Sequence, residues 1–395
     1  MANPLRPACL VALATGLALL APAAAGARVP FGFLGVMADG PIAAPGFDPA
    51  SEMRTMVESG VESVRVGFHW TDAQPYPNMA AVPTAERSRY RSIDGVPTTF
   101  DRFDPFVANA ALRRTRLLPV LTTAPGWAAK YPGQFSSPPA GTAGYARYAR
   151  ALVERYGPRG GFWRENPALP RRPIRDWQLW NEANLRTSWS DRRWPAPYAA
   201  LLRAARREIK GADPGARIVL GGFANYSWSS LAALYRVGGG VRHLFDRVAI
   251  HPYTREVKGL VTIIERVRLV MRRNGDRRKK VLVTEFGWPS AKGKAEGFGI
   301  ETTERGQAVR VRRSLNLLAR ERKRLRLAGI HYYTWLGGRE DSPESIFLYS
   351  GLRRLDSAGR PVSKPAHAAF RRTALRLEDC RAKAPVASRC ARPAR

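Results

Sequence analysis

Short runs rich in β-branched and aromatic residues alternate with longer stretches whose apolar positions recur every three or four residues. Eight runs have strand character: Phe31 to Ala38, Ser63 to Trp70, Arg116 to Thr123, Arg175 to Trp180, Arg217 to Phe223, Asp246 to His251, Lys280 to Glu285 and Ala328 to Thr334. Between and after them lie helix-like stretches, including Gly141 to Tyr156, Ala196 to Lys210, Leu260 to Arg273, Thr303 to Arg324 and Ala366 to Leu377. Strands that alternate with helices imply a parallel sheet built from βαβ units. Eight of them in a chain of this length match the count that closes a barrel. An open doubly wound sheet is the competing arrangement. It wants three glycines after the first strand, and Phe33-Leu34-Gly35-Val36 offers one. The pattern therefore predicts an α/β chain folded as a (β/α)8 TIM barrel. The stretches Thr71 to Thr99, Trp127 to Ala140 and Arg339 to Lys364 are rich in Pro, Ser and Gly. They read as long βα loops at the C-terminal face.

The two ends of the chain read differently. Arg6 precedes an apolar run from Cys9 to Ala24, and small residues follow at Ala25, Gly26 and Ala27. This is the layout of a secretory signal peptide over residues 1–27, too short for a spanning helix of roughly 20 residues. Residues 28–377 then form the catalytic barrel, with no transmembrane segment after cleavage. Residues 378–395 form a basic tail placed outside the barrel. After removal of Cys9, Cys380 and Cys390 remain, and an oxidising compartment favours a disulfide between them. The expected location is thus extracellular, with association to a cell envelope through basic surface left open. A monomer is expected.

Composition adds one strong feature. The 395 residues carry a formal net charge of +33, and Lys is only 10 of the 65 basic residues, so Arg supplies 55. Such a field attracts polyanions and is screened by salt. The charge is spread along the chain without an aromatic-interleaved basic block, so a dedicated nucleic-acid binder is not expected. An anionic carbohydrate is one possible substrate, since Arg186, Arg192, Arg255 and Arg339 fall near expected strand ends. Five histidines without an HExxH pair give no metal site, and no cofactor motif is present. A Gly-x-Ser-x-Gly elbow and a catalytic cysteine are absent too.

Chemistry concentrates at the ends of two strands. Trp177-Gln178-Leu179-Trp180-Asn181-Glu182 closes the fourth, and Val281-Leu282-Val283-Thr284-Glu285-Phe286-Gly287-Trp288 runs off the seventh. Parallel strands in a closed barrel direct both glutamates into one mouth. Glycoside hydrolysis needs such a pair of carboxyl groups flanking the scissile bond. At these residues the chain resembles the clan A type of (β/α)8 glycoside hydrolases, whose acid/base and nucleophile glutamates end strands four and seven. Its cellulase-like and β-xylosidase-like branches are not separated by these motifs. The resemblance extends through Ser63-Val64-Arg65-Val66, Thr122 to Ala128, His251-Pro252-Tyr253 and Lys364-Pro365-Ala366. It implies a retaining enzyme acting on an oligo- or polysaccharide, with Glu182 as acid/base and Glu285 as nucleophile. Arg65 and Tyr253 would keep Glu285 ionised, and Asn181 would hold a sugar hydroxyl. His251 would line the mouth, and Trp335 and Trp127 would stack on sugar rings. A transglycosylase on the same site is the near alternative. A non-catalytic cell-envelope glycan-binding protein on the same barrel is the distant one.

Overall fold

The computed structural model describes residues 28–295, 297–340, 345–380 and 383–390. The expected signal peptide lies outside the described residues. Eight parallel strands close on themselves: β1 (Leu34–Ala38), β2 (Ser63–His69), β3 (Arg116–Thr122), β4 (Asp176–Leu179), β5 (Arg217–Val219, resuming at Phe223–Ala224), β6 (Arg247–His251), β7 (Lys280–Val283) and β8 (Leu327–Tyr332). Closure is made by β8 pairing with β1, Leu34 opposite Ile330, while β7 pairs with both β6 and β8. The chain is a (β/α)8 barrel, and an open sheet is excluded.

A long helix follows each strand: α1 (Ala50–Glu58), α2 (Asp104–Arg113), α3 (Thr142–Tyr156), α4 (Pro195–Ala212), α5 (Ser227–Arg236), α6 (Val257–Arg273), α7 (Glu304–Glu321) and α8 (Pro365–Leu377), with short helical turns at Trp70–Ala73 and Gly161–Glu165 besides. Proline in the first turn starts α2, α4 and α8, where its missing N–H has no intrahelical partner to lose. The Thr303 hydroxyl caps α7 by accepting from Gly306 N at 3.0 Å. The main core lies between strands and helices. A separate small cluster of Leu118, Val219, Ala249 and Leu282, from β3, β5, β6 and β7, fills the barrel interior.

Two expected loops carry structure of their own. A hairpin, Arg91–Ile93 with Val96–Thr98, turns at Asp94-Gly95 with both residues at positive φ. Further on, Leu336–Arg339, Arg353–Leu355 and Pro361–Ser363 make a small sheet.

The tail departs from expectation. Cys380 and Cys390 are disulfide-bonded, as the pairing argument requires, with Cα atoms 5.9 Å apart. The segment they close does not stand off the barrel. Lys383 is buried, and its Nζ donates to Glu62 at 3.1 Å and to Glu378 at 2.6 Å. Glu62 also accepts from Gly32 N at 2.7 Å, which ties this cluster to the entrance of β1. Two buried carboxylates just outside the starts of β2 and the end of α8 need a cation, and the tail supplies it.

Candidate active site

The loops leaving β1, β2, β3, β4 and β7 surround a cleft of about 770 Å³ lined by Met37, Asp39, Arg65, His69, Thr123, Phe135, Asn181 and Glu285, among others. Strand ladders end at Leu179 and Val283, so Glu182 and Glu285 both sit just past the C-terminal end of their strands. The backbone there is tightly constrained. Trp180 (φ 67°) and Glu182 (φ 45°) are left-handed without being glycine, and Glu182 N donates to Gly221 O at 2.6 Å. Left-handed backbone of this kind costs of order 1–3 kcal/mol per residue and clusters where a side chain must be aimed.

Arg65 is the hub. Buried in β2, it donates from Nη1 to Glu285 Oε1 at 2.6 Å, from Nε to Gln178 at 2.7 Å and from Nη2 to Asn181 Oδ1 at 2.7 Å. All three of its nitrogens are spent on holding the site together. The Tyr253 hydroxyl donates to Glu285 Oε2 at 2.9 Å. Burial and the Glu285 charge push the Tyr253 hydroxyl well above its ordinary range, so it stays a donor. Glu285 therefore has a donor on each oxygen.

Glu182 has a different environment. Its Oε1 lies 2.7 Å from His251 Nδ1, and the same nitrogen lies 3.6 Å from Glu285 Oε2. Among the described residues, Glu182, His251 and Glu285 bring one ligand atom each within 4.8 Å of one another, close enough to suggest a metal site. His251 Nδ1 is already bonded to Glu182 and both Glu285 oxygens to Arg65 and Tyr253, and the Arg65 guanidinium supplies the positive charge an ion would bring. His251 is seated by Gly222. That residue has φ +64°, and a Cβ on it would fall 2.2 Å from His251 Nε2. His251 Nε2 is buried with no hydrogen-bond partner.

Expected site residues divide into two groups. The structure brings together Glu182, Glu285, Asn181, Arg65, Tyr253 and His251. Asn181 accepts through Oδ1, which leaves its amide nitrogen as the atom able to donate to a ligand. Trp335 needs correction. It is fully buried, and its indole donates to Glu52 of α1 at 2.7 Å, so no ring face is open to a sugar. Trp127 is part-exposed but lines a small separate cavity with Gln74 and Ile93, and it donates to Gln74 O at 2.9 Å. None of Arg186, Arg192, Arg255 and Arg339 lines the cleft. Arg65 is the one cation in that lining, set against the carboxylates of Asp39 and Glu285.

Three residues were not foreseen. Phe135, 77% exposed, is the aromatic ring that lines the cleft without packing into the core. Tyr333 packs edge-on against Tyr253 at 6.4 Å, and its hydroxyl donates to Asp39 Oδ2 at 3.1 Å. Asp39 immediately follows β1, where a lone carboxylate in a Gly/Pro-rich stretch gives no periodic signal.

No protein-family model matches the chain, and no curated protein matches it in sequence. Solved structures do match its fold. A family 39 glycoside hydrolase from Bacteroides cellulosilyticus WH2 aligns with a TM-score of 0.59 at 20% identity, over 88% of this chain and 64% of its own. A monomeric β-xylosidase from Caulobacter crescentus CB15 gives 0.60 at 18%, over 87% and 68%. A glucosidase from Croceicoccus marinus gives 0.62 at 14%, over 90% and 70%. The chain spans about two-thirds of the length of these proteins. These likenesses show the fold, a (β/α)8 barrel.

Proposed function

We propose that this protein is a secreted retaining glycoside hydrolase that cleaves O-glycosidic bonds by double displacement. One observation carries the reading: two glutamates past β4 and β7 approach within 4.8 Å, oxygen to oxygen, with unlike hydrogen-bond partners. Retaining enzymes hold their carboxyl groups about 5–5.5 Å apart, whereas inverting ones leave room for a water between them. Glu285, hydrogen-bonded by Arg65 and Tyr253, attacks the anomeric carbon. Glu182 protonates the leaving oxygen, and after the covalent intermediate forms it takes a proton from the attacking water. His251, bonded to Glu182, orients that carboxyl between its two duties. The structural neighbours support the reaction class, and the leader segment and the disulfide support export. With Arg65 already engaged and Asp39 nearby, the reacting subsite suits a neutral sugar better than an anionic one.

Proton NMR of the first product released from an aryl glycoside tests the mechanism. Retained anomeric configuration is expected, and an inverted first product would overturn the assigned roles.

A further inference from the structure

Five of the arginines that the catalytic cleft does not use meet on the opposite face. At the N-terminal end of the barrel a cleft of about 1000 Å³ opens between α2 and the starts of β3 and β4. Five arginines line it. Arg175 is held by Asp213 at 2.9 Å, and Arg171 donates to Pro158 O. The other three, Arg114, Arg116 and Arg172, have no carboxylate within ion-pair distance among the described residues. Asp176, the one carboxylate in the lining, is taken by Arg217 at 2.7 Å and Arg247 at 3.2 Å. Burial, with Arg114 and Arg116 beside it, pushes the Arg172 guanidinium down from its ordinary range. Asp176 and Glu62 offset Arg116 from beyond ion-pair distance, yet the gathered guanidinium groups still repel one another, and an oxyanion ligand would relieve this.

We propose that this cleft binds a polysaccharide strand carrying carboxylate or phosphate groups, as a second carbohydrate site on the face opposite the catalytic glutamates. Planar guanidinium forks match both oxyanions. Between the arginines the cleft floor is aliphatic, formed over the buried Leu117 and Ile174. The single aromatic ring in the lining, Phe31, is already covered by Arg116, 5.1 Å from the ring centroid. Base stacking, on which single-stranded nucleic-acid binding relies, therefore has no platform here. Such a site would hold the enzyme on an anionic matrix while a neutral glycoside is cleaved at the other end of the barrel.

Affinity electrophoresis at physiological ionic strength, with the full chain, tests this. The probes are polygalacturonate, phosphorylated dextran, unmodified dextran and single-stranded DNA. At least one of the two anionic polysaccharides should retard the protein well beyond unmodified dextran, and the stronger of them names the oxyanion. The pair Arg114→Ser, Arg172→Ser should weaken that binding tenfold or more, and Arg172→Gln alone about threefold. Arg371→Ser, Arg372→Ser on α8 removes the same charge from an exposed helix and should change it less than twofold. Thermal melting confirms that each variant is folded. Equal weakening by the α8 pair would overturn the site in favour of a general charge effect. No retardation by either anionic polysaccharide would overturn it outright. Single-stranded DNA bound as tightly, with the same dependence on Arg114 and Arg172, would overturn the polysaccharide assignment.

Discussion

The two glutamates differ less in themselves than in what touches them, and their removal should have different consequences. Glu285→Ala deletes the attacking group, so turnover by the normal route should vanish, and added azide should give a product of inverted configuration. Glu182→Ala leaves the nucleophile with Arg65 and Tyr253. Substrates with poor leaving groups should slow by about 10²–10⁴-fold, the usual worth of a general acid. Activated aryl glycosides should still form the intermediate, and azide should speed its breakdown with retention. Unchanged turnover in either variant, measured with an aryl glycoside, would remove the site. Gly222 offers a subtler test, because it touches no substrate. A Cβ there would sit 2.2 Å from His251 Nε2 on left-handed backbone. Gly222→Ala should displace the imidazole from Glu182 and lower kcat about tenfold to a hundredfold in a folded protein. A wild-type rate in that variant, with melting unchanged, would deny His251 its orienting role.

At the scale of elements, the tail alters an expectation about stability. A disulfide on a segment placed outside the barrel should contribute about 1 kcal/mol or less, below the usual range. The described tail instead delivers Lys383 to Glu62 and Glu378, both buried. Removing the buried cation leaves Glu62 and Glu378 buried against each other without a donor between them. Lys383→Ala should therefore cost about 3 kcal/mol, within the range for a broken buried pair. Replacing both cysteines with serine should now cost about 2–3 kcal/mol, because the loop they close holds that lysine in place. Denaturant melts of the two variants check both figures. Two reactive thiols per unreduced, denatured chain would show that the disulfide does not form.

For the molecule as a whole, buried ionisable groups set how stability follows pH. Burial, with Arg65 nearby, pushes His331 down to about 3. Burial, with Arg353 and Arg371, pushes His367 down to about 4. An unfolded histidine takes a proton near 6.5. The unfolded chain therefore binds more protons throughout the window below that value, and stability falls as the medium is acidified toward 4. Glu378 works in the other direction. Burial and the charge of Glu62 push it up to about 8, against the pull of Lys383. Its contribution is full below the ordinary carboxyl range and is lost as pH rises through about 8. The two windows overlap, and with two histidines against one glutamate the melting temperature should peak near pH 6.5 and decline toward 8. His331→Asn, which keeps a partner for Ser63, should flatten the acid side in a melting series from pH 7 to pH 4. An unchanged slope would show that His331 titrates elsewhere.

Much of this was legible in the chain alone. The alternation of short apolar runs with 3.6-residue periodicity determined the barrel, since eight βα units leave few other closed solutions. The strand positions follow the runs closely, because a strand buried on both faces must be apolar almost throughout. Glu182 and Glu285 stood out for the converse reason: a polar residue where such a run stops has to be explained. Helices α1, α2 and α5 escaped notice because their stability comes from packing on strands distant in sequence, and propensity carries little of it. The sugar platforms were misplaced for a similar reason. An indole after β8 reads the same whether its ring faces the cleft or, as with Trp335, donates to Glu52 283 residues away. Net charge came from the sequence, but its partition did not. Only the tertiary structure put Arg65 between Glu285, Gln178 and Asn181, and left Arg114, Arg116 and Arg172 together without an ion-pair partner among the described residues, because both depend on which strand ends meet in space.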